Sequence, residues 1–82
     1  MLTPTECERW ENVRALMEQV VSSEAPGWLG AFHATASQEL AKVDIQGADF
    51  QVGLARLVAA AFSALSHQAI ASLKVQTAFI FN

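Results

Sequence analysis

The sequence predicts an all-α protein: a small three-helix bundle in one domain, residues 1–82, with a long C-terminal helix whose surplus apolar surface is completed by dimerisation. Three observations lead there. Apolar residues recur at helical spacing in three stretches. Turn-forming clusters, Ser22 to Gly27 and Asp44 to Gly47, separate those stretches. Hydrophobic residues make up 52% of the chain and charged residues 16%, against roughly 25% charged in a typical soluble domain.

The first helix is predicted over 4–23. Thr3 is its N-cap, Pro4 its first residue, and Glu6 reaches back to close a capping box. Leu2 and Cys7 occupy the two positions of a hydrophobic staple. Cys7, Trp10, Val13, Met17, Val20 and Val21 make the apolar side, with Glu8, Glu11, Asn12, Glu18 and Gln19 opposite. Arg14 is placed to pair with Glu11 and Glu18, one turn away on either side.

Pro26 disfavours helical geometry at Ala25, so the chain reverses there. The second helix is predicted over 27–43, with Leu29, Phe32, Ala36, Leu40 and Val43 inside and Thr35, Gln38, Glu39 and Lys42 in water. Gly47 suits a left-handed cap, and Asp49 is the expected N-cap of the third helix, 49–80. Gly53, in the first turns of that helix, costs about 1 kcal/mol relative to alanine and invites a close helix crossing.

Projected at about 100° per residue, Arg56, Ser63, His67 and Lys74 fall in a polar stripe roughly 40° wide. Leu54, Ala55, Leu57, Val58, Ala61, Phe62 and Leu65 form an apolar arc wider than the roughly 100° that faces one core. Beyond them Gln68, Ser72 and Gln76 divide the apolar surface into two strips. The pattern is compatible with one continuous helix or with a break near Ser66. A continuous helix of about 30 residues would be about 45 Å long, against about 30 Å for the first, and its projecting part needs cover. Phe79, Ile80 and Phe81 likewise need a surface to dock on.

The net charge of −3 argues against nucleic acid as a partner, since five Lys and Arg can neutralise few phosphates. The single cysteine excludes an internal disulfide framework. The first residues lack a basic start and an apolar run, which predicts a cytoplasmic protein. Leu57 to Leu73 carries no Asp, Glu, Lys or Arg, but Ser63, Ser66, His67, Gln68 and Ser72 interrupt it. It reads as a buried helix, and a membrane is not an expected partner.

His33, His67 and Cys7 have no local metal-ligand pairing, so no metal or cofactor is predicted. The acids lie on the outer side of the first helix or in turns, and there is no phosphate loop and no tyrosine. Catalysis is not expected. Gln38-Glu39-Leu40-Ala41-Lys42 before a turn is similar to part of a helix-turn-helix reader, but Gly47 arrives too late and the reading helix would offer Leu54, Leu57 and Val58 to DNA. Trp28-Leu29-Gly30 resembles the Trp-x-Gly turn of the small WXG100 helical hairpins. That resemblance covers three residues, and the family's tyrosine-containing export signal is absent. Trp28 is expected to close one end of the core.

The function predicted is that of a small non-catalytic protein-interaction module: an adaptor, a chaperone-like subunit or an inhibitor. Its expected contact residues are Trp10, Trp28, Phe32, Leu65, Ala69, Leu73, Phe79, Ile80 and Phe81. Leu65, Ala69 and Leu73 would pair the third helices of a homodimer. The alternative is a small hydrophobic ligand held between helices, with His33 or His67 as its polar contact.

Overall fold

The first and third helices start where a side chain satisfies the first free amides. The computed structural model describes residues 1–71. Among them every regular element is helical: α1 (Pro4–Glu24), a 3-10 turn (Pro26–Trp28), α2 (Leu29–Asp44) and α3 (Phe50–Phe62), with a further helical stretch beginning at His67. The capping box forms as expected: Glu6 N–H donates to Thr3 Oγ1 at 3.2 Å and Thr3 N–H to Glu6 Oε1 at 3.0 Å. Asp49 caps α3 by accepting from Val52 N–H at 3.0 Å. Gly47 turns the chain with a φ of 73°, in the left-handed region that glycine adopts without a Cβ penalty.

Two hydrogen bonds fix the directions of the helices. Leu2 N–H donates to Asp44 Oδ1 at 3.0 Å, joining the start of α1 to the end of α2. Trp28 Nε1–H donates to the Ala60 carbonyl at 2.9 Å, joining the start of α2 to the end of α3. Helices consecutive in the chain are therefore antiparallel, α1 and α3 run in the same direction, and each of the three contacts the other two. The core between them holds Trp10, Val13, Met17 and Val21 from α1, Phe32, Ala36 and Val43 from α2, and Leu54, Leu57, Val58 and Ala61 from α3. Burying a side chain of this size contributes about 1.5–3 kcal/mol. Gly53 lets α3 come close: a methyl group there would overlap Val43 Cγ2 and lie 3.4 Å from Trp10 Cζ3.

Four expectations need correction. The second helix does not begin at Gly27: Pro26, Gly27 and Trp28 form a 3-10 turn first. Cys7 is exposed, not packed in a staple, because it projects roughly 75° from the centre of the stripe formed by Trp10, Val13, Met17 and Val21. Glu39 is buried, at 8% exposure. At about 100° per residue it falls about 20° from Phe32, at the edge of the inner face of α2 that Val43 and Ala36 continue.

The largest correction concerns the third helix, which is not continuous over 49–80. It stops at Phe62, and the chain turns through Ser63 to Ser66. In a continuing helix the Ala60 carbonyl would accept from Ala64 N–H. Here that oxygen accepts from Trp28 Nε1–H and, at 2.8 Å, from Ser63 Oγ. Ala64 and Leu65 N–H turn instead to the carbonyls of Ala61 and Phe62, at 3.5 and 3.1 Å, in the tighter spacing of a 3-10 turn. Ser66 then caps a new start, its Oγ accepting from Ala69 N–H at 3.2 Å.

Candidate functional site

Three groupings of side chains stand out once the bundle is assembled. The first is polar and lies across α1 and α2. Arg14 bonds Glu11, with Nη2 2.9 Å from Oε2, and also pairs with Glu18. Glu18 offers its other oxygen to His33 Nε2 at 3.3 Å. The hydrogen bonds that Arg14 donates to Glu11 and to Glu18 raise its pKa above the ordinary value, against partial desolvation. All of these groups reach water, so the network is a surface clasp between helices, of the kind worth at most about 1 kcal/mol per pair.

The second grouping is Glu39 with Lys42 Nζ at 3.1 Å and Arg56 Nη1 at 4.0 Å. A buried carboxylate needs such partners, because an unpaired charge in the interior is strongly unfavourable. Its two cations come from α2 and α3 and tie those helices together. Trp10 presents the opposite case: its indole N–H is buried without a hydrogen-bond partner among the described residues.

The third grouping is apolar and exposed. Ile45 is 80% exposed and Val52 48% exposed, and they flank the turn joining α2 to α3. Val52 projects roughly opposite the buried face of α3. That projection could have been read from the sequence, whereas Ile45 sits in a turn that has no helical face to predict.

The residues expected to anchor a partner divide differently. Trp10 and Phe32 are core residues, 1% and 0% exposed. Trp28 is 39% exposed, with its indole N–H committed to α3 as a cap on that end of the bundle. Leu65 and Ala69 are half-buried, and Leu65 packs against the core. Leu73, Phe79, Ile80 and Phe81 lie outside the described residues. Of the polar stripe, Arg56, Ser63 and His67 are exposed, but the turn after Phe62 means that they share no common helix. Lys74 again lies outside the described residues.

His33 and His67 both face solvent. Surface depressions lined by Ala15, Leu16, Glu18, Gln19 and Ser22, and by Glu24, Ser66, Gln68 and Ala69, include neither histidine. Among the described residues no group of three or more His, Cys, Asp or Glu side chains is arranged to hold a metal ion, and no helix is long and apolar enough to cross a membrane. No family model, curated protein or solved structure matches this chain.

Proposed function

We propose that this chain is a small non-catalytic protein-interaction module that acts through apolar helix surface. The observation that carries this reading is the exposure of Ile45 and Val52 beside the α2–α3 turn, while Phe32, Leu54 and Leu57 of the same helices are fully buried. Apolar groups left in water next to a filled core gain by being covered, at about 25 cal/mol per Å². The carboxylates support a non-catalytic role, since several serve the fold. Glu6 and Asp49 cap helices, Asp44 holds the Leu2 amide, and Glu11, Glu18 and Glu39 are engaged by basic side chains.

The simplest partner is a second copy, arranged about a two-fold axis so that one patch meets its equivalent. Size-exclusion chromatography with light scattering at tens of micromolar tests the reading, together with binding of an apolar-surface dye. Dimer mass or a dye-binding surface is expected. A clean monomer that binds no dye contradicts it.

A further inference from the structure

The segment from Leu54 to Ala71 contains neither proline nor glycine, yet helix α3 stops at Phe62. Local sequence therefore does not demand the stop. Ser63 itself remains close to helical geometry, with φ −60° and ψ −21°. The amides of Ala64 and Leu65 reach back three residues where a continuing helix would reach back four, a small change of backbone. What separates the two arrangements is the Ala60 carbonyl, which is taken by Trp28 Nε1–H from the start of α2 and by Ser63 Oγ.

We infer that Trp28 is a tertiary latch that sets the length of the third helix. With its indole N–H on Ala60, the chain turns at Ser63 to Ser66, and Phe62 and Leu65 pack against the core. With that donor withdrawn, Ala64 N–H takes the Ala60 carbonyl, and α3 runs on through Ser66 into the helical stretch that starts at His67. The straightened helix keeps Leu65 on the face it shares with Leu54, Val58 and Ala61, about one turn beyond Ala61 on a longer rod. A single neutral hydrogen bond contributes little net stability, so a partner that favours one arrangement can shift the balance between them. Trp28 is within reach of such a partner, being 39% exposed.

The test removes the competing donors without removing the ring. Trp28 is replaced by benzothienylalanine, which keeps the bicyclic shape and lacks the N–H, in an S63A chain made by peptide ligation. The readouts are backbone Cα chemical shifts and amide protection from residue 62 to 68. The latch predicts that Ser66 and the residues substituted or retained at 63–65 move into the helical range, and that the Ala64 amide becomes protected from exchange. It also predicts that H67P, harmless in the parent chain, becomes destabilising in this background. A folded chain that keeps the turn, with Ala64 unprotected and H67P still harmless, overturns the inference. The single W28F variant supplies the same comparison by ordinary expression, with a smaller shift in the same direction expected; non-helical shifts at 64–66 identical to the parent's count against the latch.

Discussion

At Gly53 the absence of a side chain is itself a packing feature. A methyl group there would occupy the space of Val43 Cγ2, and valine, branched at Cβ, has little rotamer freedom with which to move aside. G53A is therefore expected to lower the unfolding free energy by about 1–3 kcal/mol through overpacking, even though alanine is the better helix former by about 1 kcal/mol. Urea unfolding measures this, and the penalty should shrink in a V43A background, where the competing methyl groups are gone. Equal or greater stability of G53A would show that the helices do not meet as tightly as described. Glu39 makes a different case. Its partners Lys42 and Arg56 have side chains 42% and 59% exposed, so both can return to water if the carboxylate is removed. E39L is expected to be neutral or stabilising, since replacing a buried ionic group by an apolar one of similar size often is. A loss above about 2 kcal/mol in thermal or urea unfolding would assign the ion pairs a larger role than solvated partners allow.

Among the elements, those with a local chemical signature were legible from sequence. Thr3-Pro4-Thr5-Glu6 announced the start of α1, Gly47 the left-handed turn, and Asp49 the cap of α3, because each works through neighbours in the chain. The stop after Phe62 was not legible in the same way. Its cause includes the Trp28 indole, 32 residues distant in sequence, and periodicity carries no record of such a contact. The local trace was Ser66, a good N-cap residue with the Ala69 amide placed to bond it. Glu39 was misplaced for a related reason: its charge suggested water, but its position beside Phe32, at about 20° on the edge of the inner face, leaves it buried. The break makes a specific prediction for proline. Position 67 is the first residue of a new helix, where proline is tolerated, so H67P should change stability by less than about 1 kcal/mol. In a continuous helix the same change would cost about 3 kcal/mol or more, and a loss of that size on urea unfolding would refute the turn.

For the molecule as a whole, exposed apolar surface lies elsewhere than expected. The sequence put the surplus on a projecting third helix. Among the described residues the helix turns instead of projecting, Trp10 and Phe32 are consumed by the core, and the exposed apolar side chains include Ile45 and Val52 beside the α2–α3 turn. The interaction reading therefore rests on those two residues, and they can be changed without touching the core. I45K and V52D place a cation at the end of α2 and an anion in the first turn of α3, as the helix dipoles favour, and leave the net charge unaltered. The most direct measurement is binding of an apolar-surface dye to the parent chain and to I45K/V52D, with circular dichroism confirming that both are folded. The account predicts that the parent binds dye and that the double variant loses most of that binding while its unfolding free energy stays within about 1 kcal/mol. Equal dye binding by the two folded proteins, or none by either while the parent is a monomer, would contradict it.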